Sequence, residues 1–255
     1  MKIQKMVGLA GALALCGAGF AASTVGATAG PTLYNSTVPL TAPGYAQAFN
    51  GTEIYQFGNA VTLAAPGLHL GHAVVEMANF YMPDSATVAQ AYSTPLTFTI
   101  YKDVKGAAGA TIARSRETVA IPAGVSGVTD GVAVFDATFN FTGHVALPSK
   151  VIYGIEIDAL NSDCVATPAY CGNNPNAYGS LNVVLSTEPT NVTVGSDVYP
   201  GYVYVNTTSV NTAGPSGEVS CSALLTGFTR YSTAAGAACG YGAAFNIPAV
   251  ELIAK

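Results

Sequence analysis

Two carboxylates are the first residues whose types and spacing could do chemistry. Glu156 and Asp158 stand two apart on the segment Val151–Ile157 and its exit. On a strand they share one face, while Tyr153, Ile155 and Ile157 share the other. A pair of carboxylates flanking a bond is the apparatus of glycoside hydrolysis, with about 5–5.5 Å between them in retaining enzymes. The same alternation serves a solvated strand face, where acidic residues maintain solubility. With Asp163 and the side-chain oxygens of Asn161, Asn173, Asn174 and Asn176, these carboxylates could also hold calcium, which takes roughly six to eight oxygen ligands. No Asp-x-Asp-x-Asp-Gly loop accompanies them, and Asn and Asp are equally the residues of turns.

A second constellation is aromatic. Tyr199-Pro200-Gly201-Tyr202-Val203-Tyr204 places Tyr202 and Tyr204 on one strand face. Exposed, such rings stack on the apolar face of a sugar and add a hydroxyl for hydrogen bonding; buried, they cover a core or a protein neighbour. The chain has no Trp, the ring with the largest stacking area. His69, His72 and His144 lie in loop contexts without metal-ligand spacing, and no Gly-x-Ser-x-Gly elbow occurs. Asn-x-Ser/Thr sequons begin at Asn35, Asn50, Asn140, Asn191 and Asn206, as expected by chance in a chain rich in Asn and Thr.

The elements that must position these groups are strands. Period-two alternation of Val, Ile, Thr, Tyr and Phe dominates. It is clearest in Leu96–Tyr101 and Thr111–Val119, which the Gly-rich stretch through Gly106 and Gly109 joins as a hairpin. Further strands are predicted at Glu53–Phe57, Val61–Ala64, Ala73–Tyr81, Gly131–Thr138, Val151–Ile157, Ser180–Ser186, Tyr202–Val205, Phe228–Tyr231 and Ala249–Ala254. Pro83–Tyr92 is expected to be a loop with at most one helical turn. The pattern predicts one large antiparallel, jelly-roll-like β-sandwich over residues 30–255.

Several landmarks, taken in order, resemble a family of exported bacterial β-sandwich domains whose role is largely undefined. They are Glu53–Gly58 followed by Val61-Thr62-Leu63, then Pro95–Tyr101, Ile121-Pro122, and Leu147-Pro148 before Val151–Ile157. Tyr178–Val183 and Pro248–Ala254 complete the series. The resemblance implies a sandwich and export and supplies no catalytic residues. Members of that family often carry a C-terminal anchor and a Trp-containing, Cys-bearing loop after the second strand. This sequence has no Trp, no Cys near Met77–Tyr92 and no anchor-like tail, departures that weaken what the resemblance implies about surface attachment.

Export is also expected from the residues themselves. Lys2 and Lys5 precede an apolar run from Met6 to about Ala22, and Ala27-Thr28-Ala29 fits a signal-peptidase site, with cleavage after Ala29 and a cut near Ala22 as the alternative. Cys16 lies inside the run, but Leu15 before it is larger than a lipoprotein site prefers. The remaining Cys164, Cys171, Cys221 and Cys239 have no Cys-x-x-Cys pattern, and chain proximity favours disulfides Cys164–Cys171 and Cys221–Cys239 in an oxidising space. Cleavage would leave seven basic residues (nine less Lys2 and Lys5) against 14 acidic ones. No basic stripe serves nucleic acid, and no later run spans a bilayer.

Secreted, extracellular or periplasmic, and free of cofactors apart from calcium, the product is expected to act through its surface. Its partners would be glycan, cell envelope or copies of itself, the last because charge is scarce along the strand edges: Lys102, Lys105, Lys150 and Lys255 are its only lysines beyond the leader. The alternative is a secreted glycan-acting hydrolase using Glu156 and Asp158.

Overall fold

Strands with one apolar face must bury it, and two sheets packed face to face bury both sets at once. The computed structural model describes residues 30–38, 46–48, 54–79, 91–123, 133–157, 181–187, 192–207, 227–232 and 245–255. They contain fourteen strands: β1 (Thr32–Asn35), β2 (Ala46–Ala48), β3 (Ile54–Thr62), β4 (Leu70–Asn79), β5 (Tyr92–Val104), β6 (Ala107–Ile121), β7 (Ala133–Asn140), β8 (Lys150–Ile157), β9 (Leu181–Thr187), β10 (Ser196–Asp197), β11 (Tyr202–Thr207), β12 (Thr229–Ser232), β13 (Phe245–Pro248) and β14 (Val250–Ala254). Among the described residues there is no helix, hence none long and apolar enough to cross a membrane.

The fold is an all-β sandwich of two antiparallel sheets. The first runs β1-β14-β4-β9-β13, with β2 beside β9 and β7 beside β4; the second runs β12-β11-β3-β8-β5-β6, with β10 beside β3. Between them, Leu96, Phe98 and Ile100 of β5 and Val151, Tyr153, Ile155 and Ile157 of β8 meet Val75 and Met77 of β4, Phe139 of β7 and Leu252 of β14. Phe98 is the hub: its ring lies 5.6 Å from Tyr153, 5.5 Å from Phe139 and 6.1 Å from Phe141, centroid to centroid.

Some elements differ from the pattern in the sequence. Glu53–Phe57 and Val61–Ala64 merge into the single strand β3, and Gly58 is no break. It faces Gly154 across the ladder, and a side chain there would collide with the carbonyl oxygen of Tyr153. Tyr92 opens β5 rather than closing a loop, while residues 83–90 lie outside the described set. Strand β1 offers only Leu33 and Tyr34 as buried apolar residues and β13 ends in proline, so neither carries a periodic signal. Residues 1–29, Asp158 and Cys164, Cys171, Cys221 and Cys239 also lie outside the described residues.

At Ala249 the chain changes neighbours. Pro248 pairs with Leu185 of β9, whereas Val250 pairs with Val75 of β4. The Ala249 amide donates to Val184 O (2.8 Å) and its carbonyl accepts from the Glu76 amide (2.9 Å). Buried Ser36 clasps the step: its Oγ donates to Pro248 O (2.8 Å) and accepts from the Val250 amide (3.0 Å). Ser36→Ala leaves a buried donor and a buried acceptor without that partner, and about 1–3 kcal/mol of stability should be lost, as measured by urea unfolding.

Candidate functional site

Outward-facing residues of the second sheet form three rows set by the ladder register. Gln56, Glu156 and Thr97 share one row; Gly58, Gly154 and Thr99 the next; Ala60, Ile152 and Tyr101 the third. Glu156, 30% exposed, lies 3.9 Å from Arg114, 58% exposed. Such a part-exposed ion pair contributes little to stability. A cavity of about 210 Å³ near Arg114, between Ile112–Arg114 and the segment 141–145, has no carboxylate in its lining.

Beside Glu156 the face is covered. Gly154 of the middle row leaves room for the ring of Phe228, which a side chain there would meet at 2.9 Å. Phe228 packs 5.4 Å from Tyr101 and 5.7 Å from Tyr204, and Gln56 Nε2 donates to Tyr101 Oη at 2.8 Å. Ala60, Ile152, Tyr204, Val198 and Tyr199 join this second, smaller core on the outside of the sheet.

The tip of the β5–β6 hairpin bends onto that core. Its connection, Lys105-Gly106, has φ of 55° and 85°, the positive pair of a type I′ turn. Register shifts at Ile100/Tyr101 and Tyr101/Asp103 mark bulges, which bend a ribbon. The buried Tyr204 hydroxyl donates to Gly106 O at 2.9 Å; Asp103 accepts from the Gly106 amide at 2.6 Å and from the Tyr199 hydroxyl at 3.2 Å. Burial, reinforced by the Asp103 carboxylate, holds the Tyr199 hydroxyl above the ordinary phenol range, and burial does the same for Tyr204.

Tyr199-Pro200-Gly201-Tyr202 is itself a turn, with Tyr202 N donating to Tyr199 O at 3.1 Å. Proline in its second position and Gly201 at φ 79° in its third are the type II signature. The turn sets Tyr199 and Tyr202 side by side, and Arg230 arrives from β12 on the ladder, opposite Tyr204. The Arg230 guanidinium carbon lies 4.6 Å from the Tyr199 ring centroid and 4.8 Å from that of Tyr202. Gly106 is favoured here by its φ, and its missing side chain leaves the space beside Arg230 Nη1. The product is an aromatic and cationic platform at the surface.

Comparisons with protein-family models, with curated proteins and with solved structures find no match. The platform therefore stands on its own geometry. Of the predicted pair, Tyr202 is 38% exposed and Tyr204 is fully buried, so only Tyr202 presents itself to a ligand. Tyr204 acts beneath it, holding the hairpin tip. The partners missed in the sequence are Arg230, Tyr199 and Asp103; the Pro-Gly turn was the available signal for Tyr199, whereas nothing local marks Arg230.

Glu156 is placed on the outer face, but Asp158 and the Asn161, Asp163, Asn173, Asn174 and Asn176 oxygens are outside the described residues. Among the described residues no group of three or more His, Cys, Asp or Glu is arranged to hold a metal ion. His69 and His144, distant in sequence, meet edge to face at 5.8 Å between centroids. On the outer face of the first sheet Glu76 sits directly opposite Asp136. Burial, partly offset by a hydrogen bond from the Val38 amide (2.9 Å) and increased by Asp136, raises the Glu76 pKa to about 7. Asp136 is also raised, by burial and then by Glu251.

Proposed function

We propose that this protein is an exported, non-catalytic β-sandwich that works through its surface, as a module binding glycans of extracellular or envelope material. The single observation that carries this reading is the platform of Tyr199, Tyr202 and Arg230. It couples an exposed phenol ring to a fixed guanidinium, the combination that suits the apolar face and polar rim of a sugar. Its supports belong to two tight turns and a buried hydroxyl, so a ligand meets an arrangement formed beforehand and little ordering cost is incurred on binding. Disulfides in the segments 164–171 and 221–239 and removal of residues 1–29 are part of the same proposal, as both belong to an oxidising, extracytoplasmic setting.

A screen of the purified, oxidised protein against glycans and cell-wall preparations tests it. Saturable binding to a saccharide is expected, weakened about three- to tenfold by Tyr202→Ala. Failure to bind any saccharide, or binding indifferent to that substitution, would reject the platform as a glycan site.

A further inference from the structure

We infer that the ligand of this platform is a carboxylate-bearing saccharide, with Arg230 as the group that recognises the carboxylate. The inference rests on the glycan-binding reading and makes it specific. Two tyrosine rings lie against the guanidinium and Gly106 lies beside its Nη1, so the remaining exposed part of Arg230 is what a ligand would meet. Arg230 is exposed, and among the described residues no carboxylate or carbonyl accepts a hydrogen bond from it. A guanidinium held against two rings, with no acceptor on it among the described residues, is complementary to a planar acceptor with two oxygens.

Charges of both signs flank the platform. Lys102 and Lys105 are both exposed on the same hairpin, and Lys105 adjoins Gly106, the residue that makes room for Arg230 Nη1. Lys105 and Arg230, two of the nine basic residues of an acidic chain, thus both adjoin Gly106. The acidic residues there have their oxygens engaged internally. Asp103 accepts from the Gly106 amide and the Tyr199 hydroxyl; Asp197 accepts from the Tyr199 amide (2.7 Å) and from Asn59 Nδ2 (2.9 Å). Tyr202 contributes a part-exposed ring with the cation over one face, so a sugar ring would be read by its remaining surface and the carboxylate by Arg230.

Titration calorimetry with oligomers of polygalacturonate, with the same oligomers after carboxyl reduction, and with polyglutamate distinguishes the alternatives. Binding to the uronate oligomers is expected, about tenfold or more tighter than to the reduced ones. Arg230→Gln and Arg230→Lys should each cost about tenfold, the lysine because it keeps the charge and loses the fork. Thermal melts of both variants should match the parent, since Arg230 is exposed. Equal affinity for the reduced oligomers, or a lysine variant as good as arginine, overturns the carboxylate assignment and leaves glycan binding standing. Equal affinity for polyglutamate overturns the saccharide and leaves a general carboxylate site. Binding to neither saccharide removes both readings together.

Discussion

Phe98→Ala should destabilise the protein by about 3–5 kcal/mol, the largest effect expected of any single truncation in the core. Phe98 is fully buried, and its ring touches Tyr153 on its own sheet as well as Phe139 of the facing one and Phe141 just beyond it. Removing it opens a hole bounded by aromatic rings that cannot all move inward, because each is anchored on a different strand or on the segment that follows one. The chemical denaturation midpoint should fall while the slope stays unchanged. Phe98→Leu, which keeps most of the volume, should lose well under half as much. A loss below about 1 kcal/mol for the alanine variant would mean that the two sheets are not joined through this ring.

The second large effect is a pH dependence centred on Glu76. In the folded protein its carboxyl is raised to about 7, while the unfolded chain has the ordinary value of 4.5. Between those values the unfolded chain has released the proton and the native protein still holds it, so stability falls as pH rises through this window. The deficit is complete above pH 7. Asp136, raised for the same reason, adds in the same direction. Glu76→Gln keeps an acceptor for the Val38 amide and removes the charge. At pH 8 it should stabilise the protein by on the order of 2 kcal/mol, after allowance for partial solvent screening, and it should flatten the decline between pH 5 and 8. Unfolding curves at a series of pH values would show it; a parent whose stability rises across that window would contradict the assignment.

The sheet pattern was legible because inward positions are apolar and outward ones polar along most strands. Leu96, Phe98 and Ile100 face the core while Thr97 and Thr99 lie on the opposite face. Strand limits were less legible where backbone packing decides them. Gly58 reads as a break by composition, yet it continues a strand because only glycine fits against the Tyr153 carbonyl. For the candidate site, the sequence exposed the tyrosines and hid their relation. Alternation puts Tyr202 and Tyr204 on one face, but it cannot reveal that a hairpin formed a hundred residues earlier folds over one of them. Arg230 was invisible for a related reason: its significance comes from a ladder partner and a turn, neither of which is adjacent to it in the chain.

The pairing of β1 with β14 carries a consequence for the order of events during folding. Thr32 hydrogen-bonds Glu251 across 219 residues of chain, and β14 lies between β1 and β4. The first sheet can acquire its native neighbours only after nearly the whole described sequence is available, whereas the β5–β6 hairpin can close on itself early. Between those moments β1 and the edge of β4 that takes β14 wait without their partner. Were the chain exported as proposed, such a late-closing seam would postpone commitment to the native shape until β14 had emerged.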